Sequence, residues 1–186
     1  MAAPHRRWCR QIDVHVNLPV SSAGRADSMI TTFVASNPAF EARVRDSFAR
    51  QAAMRLIGAR LTEVAPGRCT IELPVRDDLT QQHKFVHGGI VAMIADSAGG
   101  YAAFTLMPAD ASVLTVEYKI NMLAPATGDT LVARGEVLKP GKSLSVVRAD
   151  VFGVSGNNEK LVATIQQTLM VMHGMADDVR NSDARV

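Results

Sequence analysis

The chain has only two cysteines, Cys9 and Cys69, far apart in sequence. No CxxC pair and no Cys/His ligand spacing accompanies them. A disulfide framework or zinc knuckle is therefore not expected, and a reducing compartment fits. Long hydrophobic runs are also missing: none approaches the ~18 residues needed to span a bilayer. Excess charge is missing too. A formal net charge of +2 on 186 residues is too small to argue for nucleic acid or an acidic membrane, although the pI near 8.7 leans basic. There is no internal repeat and no low-complexity tract. The N-terminus has no apolar core of a secretory signal, so a cytoplasmic location is expected.

What is present is a globular composition, with 47% apolar and 20% charged residues, enough for one ordinary domain. Residues 1–30 carry Arg6, Arg7, Arg10 and Arg25 without sustained periodicity. They read as a disordered or non-native extension, with Met29 as an alternative start; Asp13 and Asp27 interrupt any transit-peptide pattern. The domain is expected over 31–173, and 174–186 as a polar, flexible tail.

The first element should be one helix, capped by Asn37, with Pro38 in its first turn and an end near Ile57–Gly58. Phe40, Val44 and Phe48 recur on its apolar face. Two strands follow, Ala59–Val64 and Cys69–Val75, separated by the Pro66-Gly67 turn. Arg76–Val86 is a polar loop. The run from Val86 to Pro108 is rich in alanine and apolar nearly all round, so it predicts a long buried helix. Strands are expected at Val113–Leu123, Leu131–Leu138, Leu144–Phe152 and Leu161–Met172, joined by short turns as an antiparallel meander. In the first of these, Leu114, Val116, Tyr118, Ile120 and Met122 share one face. The long helix is the only candidate large enough to cover the sheet's apolar face. The fold class is α+β: an antiparallel sheet wrapped around a long central helix.

Asp96 lies in the middle of that helix, where a carboxylate is expensive unless hydrogen-bonded or used. Its helical neighbours Ala92, Gly99, Gly100 and Ala103 are all small, and each mid-helix glycine costs about 1 kcal/mol relative to alanine. Something must approach this face closely: a strand, a partner helix or a ligand. Asp96 reads equally as a catalytic acid or as an acid bonding an amide in a tight interface. Gly88 and Gly89 open the helix, where free N–H groups and the positive end of the dipole could receive an oxyanion or polarised carbonyl; they could also simply make the turn. Gly88 and Asp96 are eight residues apart, about 12 Å along the axis. One reaction using both is most simply built by pairing Gly88 of one subunit with Asp96 of another, as a homo-oligomer. His83 and His87 lack a third ligand at a telling spacing, so no metal is expected. His87 reads as a loop-shaping or carbonyl-bonding residue, and Gln81 and Gln82 as loop amides able to orient water or substrate. Lys139, Lys142 and Arg148 flank a Pro140-Gly141 turn that reads either as a phosphate contact or as solvated surface. Phe85, Met93, Tyr101, Phe104 and Met122 could line an apolar pocket or belong to the core.

The block LTQQHKFVHGGIVAMIADSAGGYAAF (79–104) and the segment VLTVEYKINMLAPATGDTLVARGEVLKPGKS (113–143) resemble the PaaI-like branch of the hotdog-fold acyl-CoA thioesterases, in the 4-hydroxybenzoyl-CoA thioesterase superfamily. The resemblance covers roughly 40–172. It implies a thioester hydrolase acting on an acyl- or aryl-CoA as a dimer or dimer of dimers, with no cofactor and no nucleic-acid or membrane partner. It places the catalytic acid, as base or nucleophile, on Asp96. The oxyanion amide falls on Gly88, with His87 beside it, and the residue positioning the attacking water on Thr115. Where the family often has asparagine, this chain has Gln81. The CoA-contacting residues implied are Gly89 and, in the basic turn, Lys139, Gly141, Lys142 and Ser143. Competing readings are a non-catalytic acyl-CoA-binding or sensing module, a hotdog dehydratase, whose proline-flanked histidine pattern is not found here, and an interaction domain. The acyl group is not legible.

Overall fold

The computed structural model describes residues 33–175 and 177. The expected extension over 1–30 and most of the tail over 174–186 lie outside them. The described elements are α1 (Phe40–Arg50), α2 (Ala52–Ile57), β1 (Arg60–Ala65), β2 (Arg68–Pro74), α3 (Gly88–Phe104), β3 (Ser112–Met122), β4 (Thr130–Lys139), β5 (Leu144–Ser155) and β6 (Asn158–Met172). No helix among the described residues is long and apolar enough to cross a membrane.

The expected single N-terminal helix is two. Gln51 takes an extended backbone (ψ 102°) and breaks the run, which lets Val44 of α1 and Met54 and Ile57 of α2 each reach the core. The Arg55 guanidinium covers the broken end by donating to the Ala49 carbonyl at 2.6 Å. The cap differs as well. Ala39 is the residue before α1 and makes no side-chain cap bond. Asn37 instead turns the chain ahead of the helix, its Oδ1 accepting the Ala39 N–H at 3.0 Å.

All six strands are antiparallel, but they do not form a simple meander; their order is β1-β2-β4-β5-β6-β3. β4, β5 and β6 do meander. β3 is carried to the far edge beside β6 because α3, lying across one face of the sheet, separates it from β2 in sequence. β4 then returns to pair with β2. Hydrophobic alternation locates strands but says nothing about their neighbours, which the path of α3 decides.

The sheet and α3 touch almost backbone to backbone. Ala95, Ala98 and Ala102 of α3 are fully buried. On β4, the inward row Leu131, Ala133, Gly135 and Val137 lies against the helix, while Arg134 and Glu136 face out. A Cβ at Gly135 would fall well inside contact distance of the Ala98 carbonyl oxygen, so glycine is what admits the helix there. The expected apolar face of β3 is not covered. Leu114, Val116, Tyr118 and Met122 stay about half exposed, at 46–53%. The strand is an edge, and a bulge between Thr115 and Glu117 shifts its register against β6.

Candidate active site

Asp96 lines a cavity of about 330 Å³ between the middle of α3, the start of β3 and the end of α1. Ser47, Gln51, Gly100, Tyr101 and Thr115 line it too. The carboxylate is held on one side only. Thr115 Oγ1 donates to Asp96 Oδ1 at 2.9 Å. Gln167, fully buried on β6, donates from Nε2 to the Asp96 backbone oxygen at 3.1 Å and, more weakly, to Oδ1 at 3.4 Å. Among the described residues no donor reaches Oδ2. Burial pushes the Asp96 pKa above its ordinary value, and the Thr115 hydrogen bond opposes that rise. A carboxylate with one anchored and one unengaged oxygen at a cavity can accept a proton from a bound nucleophile or attack directly.

At the other end of the helix, His87 precedes the first turn, and its Nδ1 accepts the Gly89 N–H at 3.0 Å. The Gly89 donor is thereby occupied, with the His87 Nδ1 as its acceptor. The next two amides, Ile90 and Val91, both point at the His87 carbonyl. Among the described residues no acceptor meets the Gly88 N–H. It is the unspent donor at the positive end of α3. Gln81 turns its Oε1 back onto the His83 N–H, and its backbone N–H and carbonyl bond Phe85 and Lys84, so it ties up its own loop. His83 and His87 are both exposed. Among the described residues no group of three or more His, Cys, Asp or Glu is placed to hold a metal ion.

Of the residues singled out in the sequence, the fold brings Asp96 and Thr115 together and leaves His87, Gly88 and Gly89 at the far end of the same helix. The basic turn is elsewhere again. Gly141 and Lys142 line a separate cavity of about 490 Å³ beside Ala103–Pro108, at the C-terminal end of α3. There the Gly141 N–H donates to Ser145 Oγ at 3.2 Å, His173 Nε2 donates to the Lys142 carbonyl at 2.8 Å, and Ser143 accepts from Val171. Lys139 ends β4 and is exposed. Within one chain these groups do not share a cavity with Asp96.

One residue at the site, Gln167, is not flagged by the sequence reading. Gln167 stands in the inward row of β6 between Ile165 and Leu169, and a polar residue at that alternation is a signal in itself. Gly99 is the position that Gln167 fills: a Cβ there would lie 2.8–2.9 Å from the Gln167 amide atoms. Tyr101, which on sequence could line a pocket or belong to the core, lies at the cavity. Its hydroxyl shares a hydrogen bond with Ser47 at 3.2 Å, and burial pushes its pKa up to about 12, so the phenol is neutral. Cys69, similarly raised to about 12 by burial, is no nucleophile at ordinary pH.

The profile of the thioesterase superfamily matches residues 83–159. A thioesterase family protein from Silicibacter pomeroyi is 47% identical, with a TM-score of 0.71 over 73% of this chain and 99% of that one. A 1,4-dihydroxy-2-naphthoyl-CoA hydrolase of Listeria monocytogenes is 26% identical over 115 residues, 62% of this chain and 91% of the relative. The PaaI protein of E. coli, at 21% identity, shares the fold, with a TM-score of 0.67 over 74% of this chain and 96% of that one. A six-stranded antiparallel sheet around a central helix, a glycine-opened helix carrying an acid, and a relative at 47% identity matched over 99% of its length together give the assignment: the chain belongs to the thioesterase superfamily, as a hotdog-fold thioester hydrolase.

Proposed function

We propose that the protein hydrolyses an acyl- or aryl-CoA thioester to the free acid and CoA, with Asp96 as general base or nucleophile and the Gly88 N–H polarising the carbonyl. The observation that carries this is the Asp96 carboxylate itself, anchored through Oδ1 and unengaged at Oδ2 on a cavity wall. In the general-base form, Oδ2 takes a proton from water as the water oxygen bonds to the acyl carbon. The carbon–sulfur bond then breaks and the proton passes to the departing thiolate. Thr115 holds the carboxylate, and its hydroxyl lone pairs are free to receive the water. A neutral Tyr101 and Ser47 form the far wall, against which the acyl group lies.

The active unit we propose is an oligomer. Gly88 and Asp96 lie about 12 Å apart along α3, too far for one thioester carbon to meet both near 3 Å. β3 suggests the remedy. It runs antiparallel to α3, with Thr115 beside Asp96 and Met122 beside Gly88. It is also an edge strand bearing half-exposed Leu114, Val116, Tyr118 and Met122. Pairing two such edges around a two-fold axis brings the Gly88 end of one chain toward the Asp96 end of the other and buries that apolar face.

Gly88→Pro tests the arrangement. Proline suits the first helical position, and His87 already has the extended backbone (φ −58°, ψ 136°) that a following proline requires. The substitution deletes the N–H with little change of path, and a loss of about 10²–10³ in kcat is expected. Mixed refolding of Gly88→Pro with Asp96→Asn chains should then restore activity to about a quarter of wild type. Half of randomly formed dimers are mixed, and each holds one intact composite site. No recovery on mixing would mean that the two residues act within one chain or not at all.

A further inference from the structure

Gln167 is a costly side chain to bury in the core. It is 1% exposed, and its Oε1 is buried without a hydrogen-bond partner among the described residues. An unpaired buried acceptor loses its solvation without recompense, a cost that a leucine or methionine in the same space would not incur. A second cost lies directly opposite. Gly99 gives up helix propensity relative to alanine, and the space so left is occupied by the Gln167 amide. Two unfavourable choices, one on β6 and one on α3, thus serve a single contact. That contact is with Asp96: Nε2 donates to its backbone oxygen at 3.1 Å and approaches Oδ1 at 3.4 Å. Both neighbours are acceptors, so the amide can face them only with its nitrogen, and its orientation is fixed. Local rules broken in pairs around one carboxylate are the signature of a functional constraint.

We infer that Gln167 is a positioning residue for the catalytic carboxylate: from β6 it clamps the Asp96 turn of α3 and, with Thr115, engages Oδ1, so that Oδ2 is the oxygen presented to the substrate. Gln167 itself does not line the cavity and touches no reacting atom. The inference rests on the proposed role of Asp96. The other titratable groups at the cavity are Tyr101 and Asp177. On the β3 edge Glu117 engages the Thr168 hydroxyl, and β6 contributes no charged group beside Gln167.

Two variants test it, Gln167→Met, which keeps length but removes the donor, and Gln167→Glu, which keeps shape but brings a second acid. Each is read twice: by kcat and KM for acyl-CoA hydrolysis across pH, and by carbon-detected NMR titration of the Asp96 carboxyl in labelled protein. In Gln167→Met, kcat should fall tenfold or more with KM within about twofold, and the carboxyl should titrate at higher pH. In Gln167→Glu the acid limb of the pH–rate profile should move to higher pH, because two acids sharing a site resist ionising together. A merely structural glutamine would change only the melting temperature. Folded variants with wild-type kcat and an unmoved Asp96 titration would overturn the inference. Were the wild type to hydrolyse no acyl-CoA, the thioesterase reading would fall, while the titration would still decide whether Gln167 governs this carboxyl.

Discussion

The adjacent glycines of α3 should respond oppositely to the same substitution. At Gly100 a new Cβ meets nothing within 4 Å, so Gly100→Ala gains helix propensity at no packing cost. The gain is about 1 kcal/mol, a rise in melting temperature of about 2–4 °C for a domain of this size. At Gly99 the same methyl would stand 2.8–2.9 Å from the Gln167 amide. The amide is the end of a side chain and can be displaced, but only within a packed interior. Displacement breaks its bond to Asp96 and leaves a second buried polar atom unpaired, costing about 1–3 kcal/mol against the same propensity gain. Gly99→Ala should therefore melt below Gly100→Ala by about 1–3 kcal/mol of stability, or about 2–12 °C. Combining Gly99→Ala with Gln167→Ala should recover much of the loss, because the colliding group is gone. Scanning calorimetry with urea titrations for each variant measures this. If Gly99→Ala rises as far as Gly100→Ala, Gln167 is not tightly held, and the account of the small-residue stripe fails.

Arg43 should matter more to stability than a half-exposed arginine usually does. Its guanidinium donates to the Phe104, Met107 and Pro108 carbonyls at the end of α3 and lies 4.0 Å from the Phe104 ring centroid. Arg43→Ala should cost on the order of 3 kcal/mol, lowering the melting temperature by about 6–12 °C; a drop under 2 °C would remove it as the cap of α3. Asp96 should cost stability. Its folded pKa is raised above 3.8, so the folded state binds the proton more tightly than the unfolded state. Stability then falls as pH rises from 3.8 through the raised value, and the penalty is complete above it. Asp96→Asn should melt higher than wild type at pH 7, with the gap closing below pH 3.8; a lower melting temperature at pH 7 would contradict the burial penalty.

The elements were legible in sequence where one residue pattern decides them. The alanine-rich run gave α3 within its bounds, and alternation located every strand to within a few residues. Neighbour relations were not legible, because β3 reaches the far edge only by following α3 across the sheet. The break at Gln51 was hidden as well: its helical spacing is unremarkable, and what bends the chain there is the separate burial of Val44 and Met54. At the site, Asp96 announced itself as a charge among apolar residues. Of its small neighbours, Gly99 is approached from the sheet by Gln167, and one residue away Gly135 admits the Ala98 backbone. A Cβ at Gly100, by contrast, would meet nothing within 4 Å. The basic turn was placed by analogy, and one chain does not bring it to Asp96.

The most direct test of the central claim is free-thiol release from a panel of acyl- and aryl-CoA thioesters, wild type beside Asp96→Asn, with oligomeric state verified for both. The account predicts turnover by wild type and a loss of about a hundredfold or more in the near-isosteric variant. Equal turnover by the two proteins would remove Asp96 from the chemistry, and binding without turnover by either would make this chain a CoA-thioester-binding module.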